Sequence, residues 1–274
     1  NNPKSIYSDG GEESRDILKQ RVHNIKLILE YDGTSYHGWQ KQPGLSTIQT
    51  TLEDSLFSLF RERIETTAAG RTDAGVHAKG QVVNFLTHAS ISSTSIQPAL
   101  NSYLPKDIRV KKAHQVEMDF HAQKSALRRV YGYLIYNSGF LSPFYRNFVW
   151  GVPFNLDPDL MRQAGKFLVG EHDFSSFQGK GSSTFSTLRE IKKLSIFKKG
   201  KFILIYIEAN SFLYKMARNI VGTLVEIGRK KIASDEMKKI LEARDRRMAG
   251  PTAPPKGLCL VRVEYGKHRV WLKA

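Results

Sequence analysis

A single cysteine, Cys259, among 274 residues excludes an intrachain disulfide and any zinc site built on paired cysteines. Acidic residues are scarce as well: 26 Asp and Glu stand against 42 Lys and Arg, for a net charge of +16. The chain also lacks a run of about twenty consecutive apolar residues, the length needed to span a bilayer. Its first twenty residues, NNPKSIYSDGGEESRDILKQ, contain no apolar stretch of the signal-peptide kind. Together these absences make a reducing cytoplasm the expected setting, with an organelle as the alternative if a presequence has been removed upstream of Asn1.

The composition that is present suits a folded protein. Hydrophobic residues make up 41% of the chain and include fifteen Phe, enough for one large domain or two joined smaller ones. The excess of cations favours a polyanionic partner through phosphate neutralisation and counterion release. Nucleic acid is the first candidate, although a lysine-rich solvated surface or an anionic membrane face fits the same number.

After the polar tail, Ile25, Leu27, Leu29 and Tyr31 alternate with other residues and predict a strand ending at Asp32-Gly33. Ile48, Leu52, Leu56, Leu59 and Phe60 recur at spacings of three and four, which predicts an amphipathic helix. A turn, AAGRTDAGVHAKG over 68–80, leads to a strand over 81–86. Further strands are predicted at 130–136 (VYGYLIY), 202–208 (FILIYIE) and 258–265 (LCLVRVEY). Leu213, Met216, Ile220, Leu224 and Ile227 predict a helix with Gly228 as its stop, and a shorter helix over 235–243 has Ser234 as its expected N-cap. Between them, GKGSSTFST over 179–187 reads either as an exposed loop that orders on RNA or as a plain linker. This mixture predicts an α+β or α/β sheet fold. The composition shift at KSALRRV divides the chain into a tail (1–20), an N-terminal half (21–127) and a C-terminal half (128–274).

Within the turn, Gly70-Arg71-Thr72-Asp73-Ala74-Gly75 sets an acid among small residues, two positions after an arginine. Taken alone it allows two readings: a carboxylate presented outward for chemistry, or an Asx-turn in which Asp73 bonds its own backbone. His77 and His88 have no second ligand at a recognised metal spacing and read as structural or RNA-facing. Basic clusters at Lys111-Lys112, Arg128-Arg129, Lys198-Lys199, Arg229 to Lys231 and Arg244 to Arg247 are candidates for a phosphate-binding groove or for solvated surface.

The longer string AAGRTDAGVHAKGQVVNF resembles the active-site signature of TruA-type tRNA pseudouridine synthases. The likeness runs from about Asn24 to Tyr265, through LILEYDGTSYHGWQKQ, NSYLPKDI, DFHAQKSALRRVYGYLIYN, GEHDFSSF, NSFLYKMARNIVGTLVEIG and APPKGLCLVRVEY. Gln123 departs from it, standing where the family usually has arginine. The resemblance implies an α+β pseudouridine synthase fold with a mixed, mainly antiparallel sheet and a central cleft. It also implies a homodimer acting on uridine 38, 39 or 40 of the tRNA anticodon stem-loop, with no redox cofactor, metal or ATP.

By the same resemblance Asp73 is the catalytic nucleophile, Arg218 its ionic partner, and Arg71 the residue that fills the space of a flipped-out base. A carboxylate in this role must be ionised, and an adjacent guanidinium stabilises that form. Tyr131 matches a tyrosine that stacks on the target uracil, with a late proton-transfer role if its acidity is shifted, and Leu258 matches an apolar lining of the pocket. In the absence of that likeness, Arg218 is an ordinary helix cation and Tyr131 and Leu258 are ordinary core. The main rival is a non-catalytic RNA-binding protein on the same scaffold; retention of Asp73, Arg71, Tyr131 and Arg218 together argues against it. A DNA-binding protein finds no helix-turn-helix, zinc-finger or zipper pattern here.

Overall fold

The computed structural model describes residues 22–89, 92–181 and 184–266, so the expected N-terminal tail lies outside the described residues. Strand β1 (His23–Tyr31) buries Ile25, Leu27, Leu29 and Tyr31 on one face, as its alternation requires. Helix α1 (Ile48–Phe60) begins where Thr47 Oγ1 accepts a hydrogen bond from Thr50 N at 3.2 Å, and it ends at Arg61 in the left-handed conformation. Strands β2 (Thr67–Ala68) and β3 (His77–Thr87) flank the Asp73 turn. Strand β3 thus starts at His77 rather than at Gln81, because His77 and Ala78 already pair with the last strand of the chain.

Helix α2 (Ser93–Tyr103) and strand β4 (Ile108–Val116) follow, then β5 (Ala126–Asn137) and β6 (Trp150–Val152). The proposed division at 127/128 falls inside β5. Helix α3 (Pro158–Lys166), β7 (Gly170–Asp173), β8 (Leu188–Lys199) and β9 (Phe202–Ala209) come next. Helices α4 (Met216–Gly228) and α5 (Glu236–Ala243) precede the final strand β10 (Leu258–Tyr265).

The two expected helix boundaries fare differently. Helix α4 does end at Gly228, although the left-handed position beyond it is Lys230 at φ 62°. A Cβ at Gly228 would lie 2.9 Å from Met161 Sδ, so a larger residue there would require the Met161 side chain to shift. Ser234 does not cap α5, which starts after Asp235; the serine hydroxyl instead reaches Gln163 Oε1 at 3.4 Å.

The described strands form one mixed sheet in the order β4-β1-β3-β10-β5-β9-β8-β7, with β2 added beside β3 and β6 beside β5. Pairing is antiparallel except between β3 and β10 and between β5 and β6, which makes the fold α+β with a mainly antiparallel sheet. A continuous core including Leu52 and Leu56 of α1, Ile96 and Leu100 of α2, Met161 of α3 and Ile220 and Leu224 of α4 covers one face of the sheet. No described helix is long and apolar enough to cross a membrane.

Strand topology places the site. Because β3 and β10 run parallel, with Cys259 beside His77 and Leu260 beside Ala78, the segments that enter them meet at the same end of the sheet. One of these segments carries Asp73; the other, 251–257, leads into Leu258.

Candidate active site

The Asp73 turn is fixed at nearly every backbone position. Arg129, itself buried, donates from Nη2 (2.8 Å) and Nε (3.2 Å) to Ala69 O, while Gln81 Nε2 donates to Gly70 O at 2.7 Å. Trp39 N donates to Thr72 O at 2.9 Å, and Gly75 N donates to Tyr36 O at 3.2 Å. Beneath the turn, the Tyr31 and Thr72 hydroxyls are 2.8 Å apart. The close approach of the 36–39 segment requires glycine: Gly38 sits at φ 86°, and a Cβ there would lie 2.6 Å from Thr72 O.

The turn therefore presents the Asp73 carboxylate outward, where Arg218 Nη1 meets Oδ2 at 2.7 Å. That distance is typical of a charge-assisted hydrogen bond. Neither side chain is sealed off, with 20% of the Asp73 side chain and 12% of the Arg218 side chain exposed. Arg218 lies in the first turn of α4 and donates from Nε to Ala253 O at 2.8 Å, while Ala253 N donates back to Arg218 O at 3.1 Å. The guanidinium is thus held by the segment entering β10 and aimed at the turn entering β3. Two residues 145 apart in sequence are thereby brought into contact.

Tyr131 on β5 lies opposite Leu260, and Leu258 opposite Tyr133, so all four occupy one face of the sheet beside this ion pair. The Tyr131 ring packs edge-on against Phe212 with centroids 4.9 Å apart. Its hydroxyl lies 4.0 Å from the point where a Cβ on Gly70 would be, under the turn. Burial holds the Tyr131 phenol well above its ordinary range, and the neighbouring Tyr31 and Asp73 add to the effect. This shift is opposite to the one a phenolate base needs, so the free protein keeps a protonated tyrosine here. Leu258 is buried at the start of β10. Arg71 is exposed, and it makes no hydrogen bond or ion pair among the described residues.

Other sequence candidates are absorbed into the framework. His77 is buried: Nδ1 accepts from Gly33 N at 3.1 Å and Nε2 lies 2.9 Å from Asn147 O and 3.2 Å from Lys256 O, tying the two halves of the site together. Arg129 spends its guanidinium on the carbonyls of Ala69, Gln123, Ala126 and Asn210, which removes it from the phosphate-binding candidates. Arg128 pairs with Glu208 at 3.2 Å. Gln123, the departure from the family pattern, is exposed, and its backbone oxygen is one of the Arg129 acceptors.

Sequence reasoning missed Tyr31, Trp39, Gln81 and Arg129 as the groups that hold the turn. Gln81 stands out because its Oε1 is buried without a hydrogen-bond partner among the described residues. Their only sequence signal was membership in the long matching strings, since bonds to backbone carbonyls leave no spacing pattern.

The site is thus a turn-borne carboxylate, partly exposed and paired with a guanidinium, on a strongly basic chain. Residues 27–123 and 164–266 match the tRNA pseudouridine synthase family, and the chain belongs to that family. It is 46% identical over 244 residues to a protein named tRNA pseudouridine synthase A from Acetivibrio thermocellus, covering 89% of this chain and 100% of the relative. A protein of the same name from Thermoanaerobacter sp. is also 46% identical with the same coverage. Another, from Buchnera aphidicola, is 42% identical over 252 residues, covering 92% of this chain and 95% of its own length.

Proposed function

We propose that this protein isomerises uridine to pseudouridine in the anticodon stem-loop of tRNA, at positions 38, 39 and 40, with Asp73 as the nucleophile. The observation that carries this reading is the Asp73–Arg218 pair at 2.7 Å, built from two distant segments on an over-determined turn. Substrate and product are isomers. The bond from the ribose C1′ to N1 breaks, a bond from C1′ to C5 forms, C5 loses a proton and N1 gains one, so the balance needs no oxidant or second substrate.

Arg218 orients the carboxylate oxygen through Nη1 and leaves the other oxygen, Oδ1, for the reacting nucleotide. Reaching a base inside a folded stem requires extruding it, at a cost of roughly a few kcal/mol. The unengaged, exposed guanidinium of Arg71 is suited to occupy the vacated stack and contact phosphate. Tyr131 offers a ring for stacking on the extruded uracil, a contact typically worth about 1–3 kcal/mol, and Leu258 lines the apolar side. With its proton retained, the Tyr131 hydroxyl acts here as a hydrogen-bond donor. We further assign the protein to a homodimer, as the resemblance to its family implies, and to the cytoplasm, in keeping with its single cysteine.

The decisive experiment measures tritium release from C5-tritiated uridine in unmodified tRNA by the protein and its Asp73→Asn variant. Release by the unsubstituted protein alone is expected, with tRNA affinity of the variant within about tenfold. Release by neither, with tight tRNA binding by both, would turn the reading to a binding protein.

A further inference from the structure

A depression of 530 Å³ lies near the N-terminal end of α4, lined by Ser175, Gln178 to Gly181 and Arg244 to Arg247. That volume falls within the range of about 300–1,000 Å³ typical of ligand sites. Its lining holds four cations, Lys180, Arg244, Arg246 and Arg247, and one carboxylate, Asp245. Both Asp245 oxygens are engaged by Arg247, at 2.9 Å for Oδ2 from Nε and 3.1 Å for Oδ1. Arg244 leans on Asp173 behind the depression at 3.4 Å.

The remaining two cations have no carboxylate. Lys180 is exposed and makes no hydrogen bond or ion pair among the described residues. Arg246 bonds only neutral acceptors: Ala249 O at 3.1 Å, Asn219 Oδ1 at 3.1 Å and Thr252 Oγ1 at 3.3 Å. A partly buried guanidinium left without a counter-charge in a concave site is costly unless an anion arrives.

The acceptors chosen by Arg246 also fix where the depression sits. Asn219 follows Arg218 in α4, and Thr252 precedes Ala253, whose carbonyl holds the Arg218 guanidinium. On the opposite wall Gly179 N donates to Tyr214 O at 2.7 Å, in the segment leading into α4. A Cβ on Gly179 would lie 2.9 Å from Tyr214 Cδ1, so a larger residue there would push the Tyr214 side chain aside. Both walls are thus bolted to the elements that position Arg218.

From this arrangement we infer that the depression is a subsite for a backbone phosphodiester of the substrate RNA, with Lys180 and Arg246 supplying the uncompensated charge and Arg244 and Arg247 the rim. The inference rests on the tRNA reading above and extends it to a defined contact. Each phosphate contact contributes about 0.7–0.9 to the slope of log affinity against log salt.

The test uses the Lys180→Glu/Arg247→Glu double variant, whose two positions are exposed, Arg247 at 90% of its side chain. Binding of an unmodified tRNA transcript is measured at several salt concentrations. Affinity is expected to fall at least tenfold at low salt, with a slope shallower by about one to two. The conservative Lys180→Arg/Arg247→Lys pair should stay within about threefold of the parent, as should Lys166→Glu on exposed α3 surface. Unchanged affinity and slope in the double variant, with tritium release intact in the unsubstituted protein, overturns the subsite alone. No tritium release by the unsubstituted protein overturns the tRNA reading beneath it.

Discussion

The connection that carries Asp73 and the one that runs over 179–187 each contain two glycines and several small polar residues, yet they are tied to the molecule in opposite ways. Around Asp73, Ala69, Gly70, Thr72 and Gly75 all bond to groups on other elements. In the described parts of the second connection, long-range bonds occur only at the ends, Gly179 N to Tyr214 O and Phe174 N to Thr187 O. Its interior bonds are local, such as Thr184 to Ser186 and Arg189 to Ser186, and Phe185 is fully exposed. Covalent chemistry needs a reacting atom held within a fraction of an ångström, whereas gripping a flexible polyanion does not. The first connection has the fixity that the proposed chemistry asks for, and the second has the freedom that a polyanion-binding loop would use.

The largest effect that would sharpen this contrast lies at Arg218. Replacing it with Met removes the 2.7 Å partner of Asp73 and the tie to Ala253 while keeping an unbranched side chain. Turnover of tRNA under saturating conditions should fall by about 10²- to 10³-fold, the scale for losing one preorganised electrostatic contact. Single-turnover pseudouridine formation measures it. A loss of less than tenfold would mean that the turn alone positions the carboxylate.

A smaller effect is expected at Gly38, where both the φ of 86° and the 2.6 Å approach to Thr72 O exclude a side chain. Gly38→Ala should cost about 1–3 kcal/mol of stability by thermal or denaturant unfolding. Turnover measured well below the melting temperature should fall further than the folded fraction does, because the strain is passed to the turn. Equal losses in the two would show that the turn tolerates displacement, and the contrast between the two connections would weaken.

The same physics decides what could be read from the sequence. Helix α1 was legible because its apolar stripe is regular, and β10 because its apolar run follows a proline-rich turn. Helix α3 escaped although Asp157 and Pro158 mark its start, since nine residues carry too short a stripe to announce themselves. Strand β8 was hidden by Lys192, Lys193, Lys198 and Lys199, which sit on a strand near the sheet edge with little buried surface. Helix α2 contains Pro98, a residue that argues against a helix interior. At the site, Asp73 and Arg218 were reached through resemblance, not spacing. The scaffold beneath them was not reached at all, because Arg129 and Gln81 act on backbone carbonyls whose positions only the fold creates.

The smallest expected effect on the folded state, and the one most diagnostic of the second connection, is at Phe185. A fully exposed aromatic ring buries nothing, so Phe185→Ser should leave stability unchanged within about 0.5 kcal/mol. If the loop orders on RNA, the ring gains a base to stack on, a contact of about 1–3 kcal/mol, and tRNA affinity should fall by at least fivefold on substitution. Filter binding with unmodified tRNA, alongside thermal unfolding, reads both quantities. A variant that loses stability instead would show that this connection contributes to the fold as the Asp73 turn does, and that the separation between a rigid chemical turn and an adaptable binding loop is misplaced.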